Sequence, residues 1–423
     1  MVPAASQHGA LQGRDIQLVT PDPAQERNDT GSIIGETDLA ARILAAVRSV
    51  IPQQTEPVAL HEPEFEGNEW SYVKECLDTR WVSSAGKFVD LFEKQLAEFT
   101  GVSRAVATVN GTAALHICLR LAGVEPGDEV LVPSLTFIAT ANAVSYAGAV
   151  PHFVDSEDRT LGIDAAKLDA YLQQACALNS GHCINKFTGA RIRALVAMHV
   201  FGHPSEIDRL LCVCSKWSIA LVEDAAESLG SYHGGTHTGN FGVASALSFN
   251  GNKVLTTGGG GAILTNDPAL GAFAKHLTTT ARLSRGWSFV HDYVGYNYRM
   301  PNLNAALGCA QLERLPGVLH RKRTLFERYA MAFRNVGGAR LLAEPACTRS
   351  NYWLITLLLD GSEETMRDHV LQVLNDSGLM ARPAWTLMHS LPMYATCPRM
   401  DLPCAEALER RIVNLPSSAF LAD

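Results

Sequence analysis

Ala105-Val106-Ala107-Thr108-Val109-Asn110-Gly111-Thr112-Ala113-Ala114-Leu115 is a short β-rich run that breaks at a glycine and resumes as a helix opened by a hydroxyl residue. Runs of the same kind recur at residues 129–132, 150–154, 194–198, 219–222, 244–249 and 262–265, with helix-length segments in the gaps. Short apolar strands alternating with helices are the signature of βαβ units around a mostly parallel sheet buried on both faces. The expected fold class is therefore α/β.

Working outward, residues 1–35 mix Gln, Asp, Pro, Gly and Ser without apolar periodicity and read as a poorly ordered extension. Residues 36–60 carry Leu39, Ile43, Leu44 and Val47 at helical spacing, then a linker. A large domain is expected over residues 61–315. Beyond Pro301, helical stretches at 303–315 and 318–333 lead to a strand-like run at 352–359 and a helical pattern at 363–374, giving a smaller α+β domain over residues 316–423.

The chain has 423 residues, 47% of them hydrophobic and 18% charged, which excludes disordered and fibrous classes. Its 35 Lys and Arg against 43 Asp and Glu give a formal charge of −8, which argues against nucleic acid as a partner. An anionic ligand must then be held by local dipoles and a few placed cations. The start of the sequence lacks a secretory pattern, no apolar stretch approaches membrane-spanning length, and the 10 cysteines are scattered as core thiols, so a cytoplasmic protein is expected. Cys212-Val213-Cys214 lacks a second ligand pair, which leaves no expected metal site.

Three places carry candidate chemistry. At Gly111-Thr112-Ala113 the free N–H groups and positive end of a helix suit a phosphate, although a capped βα turn has the same appearance. Leu221-Val222-Glu223-Asp224-Ala225-Ala226-Glu227 delivers acids at the carboxyl end of an apolar strand, where open α/β sheets bind ligands; a structural salt bridge is the alternative. Ser248-Phe249-Asn250-Gly251-Asn252-Lys253, followed by the glycines Gly258 to Gly261, sets a lysine between a strand and a glycine-rich loop. A surface lysine before a hairpin would look similar. In this order, a phosphate cradle, an acid and a lysine are what pyridoxal 5'-phosphate requires: a phosphate site, a partner for the pyridine nitrogen, and an amine for the aldehyde.

With those motifs, and with Trp81-Val82-Ser83-Ser84, Pro133-Ser134-Leu135-Thr136-Phe137 and Gly295-Tyr296-Asn297-Tyr298-Arg299-Met300, the chain resembles the DegT/DnrJ/EryC1/StrS sugar aminotransferases over about residues 60–333. Within them it is most similar to the nucleotide-sugar C4 aminotransferases of the legionaminic or bacillosamine type. The resemblance implies a fold-type I architecture with a mostly parallel seven-stranded sheet. It also implies pyridoxal phosphate as cofactor, glutamate and a nucleotide-linked 4-keto-6-deoxy (2-acetamido) sugar as substrates, and a homodimer with shared active sites. Lys253 would be the Schiff-base lysine, Asp224 the partner of the pyridine nitrogen, and Phe137 the ring stacked on the cofactor. Gly111, Thr112, Ala113 and Ser248 would hold the phosphate, and Asn297 would reach the phosphate of the neighbouring subunit. Glu227 stands where many relatives have Gln near the cofactor's 3-hydroxyl. His199 either lines the pocket or is a histidine satisfied by the main chain. A pyridoxal-dependent sugar dehydratase and a non-catalytic regulator on the same fold are the competing functions.

Overall fold

The computed structural model describes residues 30–52, 54–285, 287–361 and 364–423. Most of the expected amino-terminal extension lies outside the described residues; residues 30–35 open the first helix, α1 (Thr30–Val50), which therefore starts earlier than the periodicity suggested. Its expected apolar residues are where burial places them: Leu39, Ile43 and Val47 pack in one core with Leu325, Tyr329 and Phe333.

Helices α2 (Glu69–Thr79) and α3 (Lys87–Thr100) precede the main sheet. Its seven strands are β1 (Arg104–Thr108), β2 (Glu129–Pro133), β3 (Val150–Val154), β4 (Arg191–Met198), β5 (Ala220–Asp224), β6 (Ala244–Ser248) and β7 (Gly261–Thr265), in the spatial order β1-β7-β6-β5-β4-β2-β3. Only β7 runs against its neighbours β1 and β6; the pairs β6–β5, β5–β4, β4–β2 and β2–β3 are parallel. The mostly parallel sheet expected from the alternating pattern is thus present. An antiparallel hairpin, Cys176–Asn179 with His182–Asn185, adds two further strands beside β4. Apolar side chains cover both faces of the sheet, which explains why its strands read as continuous rather than alternating apolar runs.

Helices α4 (Gly111–Leu121), α5 (Ile138–Tyr146), α6 (Ala165–Ala175), α7 (Ile207–Trp217) and α8 (Pro268–Thr278) flank the sheet. The two helices expected after Pro301 are one: α9 runs unbroken from Asn302 to Phe333 through Pro316. An interior proline costs a helix about 3 kcal/mol. Burial at both ends offsets that cost here, because Ala305, Cys309 and Leu312 enter the main core while Leu325, Tyr329 and Phe333 enter the core shared with α1. The boundary drawn at residues 315 and 316 therefore falls inside a helix. The carboxyl-terminal part contains a four-stranded sheet that includes Ile355–Leu359 and Ile412–Leu415, with α10 (Glu364–Asp376) against it.

Burial also sets a pH dependence. His116, His203 and His237 are buried, and desolvation lowers each imidazole to about 4 from an ordinary 6.5. The unfolded chain takes up these protons as pH falls through about 6.5, whereas the folded chain resists until about 4, so stability is lost across that window. His237 accepts the Gly230 N–H at Nε2, 2.8 Å away, and so needs its neutral form. The denaturant midpoint should drop from pH 7 to pH 5, and His237→Gln should flatten the drop; an unchanged slope in that variant would refute the assignment.

Candidate active site

The site forms where the parallel strands deliver their carboxyl ends. Register aligns Met198 and Ala246 with Asp224, so β4, β5 and β6 end side by side. Beyond β1, the Asn110 side chain caps α4 by accepting the Ala113 N–H at 2.8 Å. A Cβ on Gly111 would stand 2.8 Å from Ser248 Cβ, and one on Gly261 would stand 2.5 Å from the Asn110 carbonyl carbon. Gly111 thus lets the start of α4 lie directly against the end of β6, and Gly261 lets it lie against the start of β7. Gly111, Thr112 and Ser248 consequently share one wall of a cavity of about 390 Å³, at the positive end of the helix.

Asp224 lies on another wall of that cavity, buried at the end of β5. Its Oδ2 accepts the Thr140 hydroxyl at 2.7 Å and its Oδ1 accepts the Ala226 N–H at 3.2 Å. Burial raises its carboxyl above the ordinary range, against these hydrogen bonds and the nearby Lys253 charge. Phe137, the residue before α5, contributes an aromatic face that is 49% exposed. Lys253 enters from the loop after β6, and its Nζ lies 3.1 Å from Glu227 Oε1. Glu227 is itself buried, which raises its carboxyl; the Lys253 charge and the Phe201 N–H, 2.8 Å from Oε2, oppose that rise.

Seven residues singled out in the sequence therefore line one cavity: Gly111, Thr112, Phe137, Asp224, Glu227, Ser248 and Lys253. Three do not. The Ala113 N–H is used by the Asn110 cap. Asn297 lies outside these walls, its amide oxygen accepting from Arg299 at 2.9 and 3.1 Å. His199 is corrected to the bland alternative: it is fully buried behind the site, its Nδ1 accepting the Ser205 N–H at 3.1 Å. Nε2 then carries the proton and donates to Glu223 at 3.0 Å. Glu223 also accepts the N–H groups of Gly239, Phe241 and Gly242, so this first acid of the motif is structural.

Three residues that local patterns did not indicate complete the site. Trp353 and Trp385 reach the walls from more than 100 positions beyond β6, and no short motif marks them. Thr140 sits on the first turn of α5, three residues after Phe137, a spacing that could have drawn attention to it. Because its hydroxyl orients Asp224, Thr140→Val should weaken cofactor binding by roughly ten-fold or more, the size expected for a hydrogen bond to a charged group. An absorbance titration giving the parental affinity would show that the hydroxyl has no such role.

These walls fit pyridoxal phosphate. The glycine-lined helix start offers N–H and hydroxyl donors for a phosphate, a buried acid is held by two hydrogen bonds where a cationic ring nitrogen can reach it, and an amine lines the same cavity. Fold and site together define a pyridoxal phosphate-dependent transferase. The chain belongs to the DegT/DnrJ/EryC1/StrS aminotransferase family, whose model matches residues 63–423. It is 38% identical to a GDP-perosamine synthase of Caulobacter vibrioides over 86% of this chain and 94% of the relative. Among solved structures, the aminotransferase TlmJ from Streptoalloteichus hindustanus superposes with a TM-score of 0.77 at 28% identity, covering 85% of this chain and 93% of that one. DesI, solved in the presence of its TDP-sugar product, superposes with a TM-score of 0.75 at 28% identity, covering 86% and 88%. The chain is an aminotransferase.

Proposed function

We propose that the chain moves the amino group of glutamate to the C4 keto group of a nucleotide-linked 4-keto-6-deoxy sugar. Lys253 is its catalytic residue, and the active form is a homodimer. The observation that carries this reading is the meeting of Lys253 with Asp224, Thr112 and Ser248 around one cavity. The names of the relatives, GDP-perosamine synthases among them, support a GDP-linked acceptor.

When bound, pyridoxal phosphate supplies an aldehyde carbon that takes up an amine and a protonated ring that withdraws electrons. The chain's own residues do the rest. Gly111, Thr112 and Ser248 hold the phosphate at the helix end, and Phe137 fixes the plane of the ring. Asp224, ionised, keeps the ring nitrogen cationic. Lys253, once its amine is free, moves a proton between the cofactor and substrate carbons from its place beside Glu227. A homodimer is supported by the exposed aromatics Trp287 and Phe289, at 94% and 77% exposure.

The test is a transamination assay with glutamate on a panel of GDP- and UDP-linked 4-keto-6-deoxy sugars, with and without a 2-acetamido group, reading product mass and stereochemistry. A 4-amino sugar from a GDP-linked acceptor is expected. Loss of a C3 hydroxyl without gain of nitrogen would instead establish the dehydratase.

A further inference from the structure

We propose that Lys322 is a positioning residue for the reaction: by holding the main chain of Trp353, it fixes the indole face against which the Lys253 amine is confined. The proposal rests on Lys253 being the catalytic lysine.

The Lys253 ammonium lies between two groups. One is Glu227; the other is the Trp353 ring, whose centroid is 3.7 Å from Nζ. A cation over an indole face at this distance is attracted by the ring's negative quadrupole, and more strongly in a partly dry site. For the ring to confine the amine it must itself be immobile, and Trp353 is braced at three points. Its Nε1–H donates to the Asn252 carbonyl at 2.7 Å, on the residue just before Lys253. Its main-chain N–H donates to Asn351 Oδ1 at 2.8 Å, and the Asn351 amide group donates to the carbonyls of Glu227 and Leu229, each at 2.9 Å. Its carbonyl accepts from Lys322 Nζ at 3.2 Å. Trp353 is thereby tied to Glu227, on the other side of the amine, and to Asn252, the residue before Lys253.

Lys322 is unusual in its own right. It is 1% exposed on α9, and among the described residues it has no carboxylate at ion-pair distance, because Glu64 is engaged by Arg321. Its two partners are both carbonyls, Trp353 and Ser417, the latter at 2.6 Å. Burial lowers its amine to about 7, yet the neutral and the charged forms both have hydrogens enough for two carbonyls. A buried ammonium that makes no ion pair is costly to keep and is not needed to fill space, which methionine would do. Its use is the directed hold on residue 353.

The experiment compares Trp353→Phe, Trp353→Leu, Lys322→Met and the double variant Lys322→Met/Trp353→Leu. One readout needs no cofactor: the rate at which Lys253 is reductively methylated by formaldehyde and cyanoborohydride in the cofactor-free protein, read by peptide mass spectrometry. The other is the half-reaction with glutamate carrying deuterium at its α-carbon. Trp353→Leu and Lys322→Met should each change the methylation rate in the same direction, lower kcat by about ten-fold with little change in KM, and enlarge the isotope effect. Trp353→Phe keeps an aromatic face but loses the Nε1–H bond to the Asn252 carbonyl, so its loss should fall between the parent and Trp353→Leu. The double variant should be no worse than Trp353→Leu, since the lysine acts through the indole. Additive losses, or a Lys322→Met protein with parental methylation and isotope effect, would overturn the proposal. So would a folded Trp353→Leu protein with parental proton transfer, which keeps the test decisive if Lys322→Met does not fold. Reduction of the parent with pyridoxal phosphate and borohydride reports separately on the underlying reading, which fails if Lys253 is not the residue modified.

Discussion

Lys253→Arg should abolish amino transfer and the visible absorbance of the lysine-bound cofactor together. The guanidinium keeps a positive charge between Glu227 and the Trp353 ring, so the cavity's electrostatics are largely retained. What is lost is an amine able to join the aldehyde and to carry a proton between carbons, because arginine stays protonated. The proton-transfer role alone accounts for about 10²–10⁴-fold in rate. Equilibrium binding of the cofactor should fall less than turnover, since the donors at Gly111, Thr112 and Ser248 are untouched. The decisive measurement is product formation by mass spectrometry alongside the absorbance spectrum. Turnover within ten-fold of the parent would remove Lys253 from the reaction.

Asp224→Asn should be the next most damaging change. Asparagine can still accept the Thr140 hydroxyl, which now bonds the acid at 2.7 Å, so the local packing survives. It cannot hold a ring nitrogen cationic. Removing one partner of a buried charge pair costs about 3–5 kcal/mol, which corresponds to about 10²–10⁴-fold in rate. Asp224→Ala should lose as much and, in addition, leave the Thr140 hydroxyl without its acceptor. Single-turnover kinetics with glutamate would read the loss directly. A rate for Asp224→Asn equal to the parent would refute the pairing with the ring nitrogen.

The parts of the site that could be read from the sequence are those whose chemistry is local. Asn110-Gly111-Thr112 carries its meaning in three consecutive residues, because a glycine, a cap and a helix start are neighbours in the chain. Asp224 and Lys253 were legible for a similar reason: each follows an apolar strand, and parallel strands end at a common edge. Trp353 was not, because its relation to Lys253 is created by the packing of a later segment. His199 shows the opposite failure. A histidine after a strand has the right address for catalysis, and only its two partners, Ser205 and Glu223, reveal that both ring nitrogens are already used. The gap between the two expected helical stretches, where Pro316 stands, is likewise closed by packing: proline ends helices by local rules, and burial on two cores overrules it.

That unbroken helix has a practical consequence for anyone seeking a minimal enzyme. Cutting the gene at the apparent seam near residue 316 would sever α9 in mid-course and strip two tryptophans from the catalytic chamber. The excised amino-terminal portion could retain its sheet and its lysine and still lack a closed vessel in which to use them.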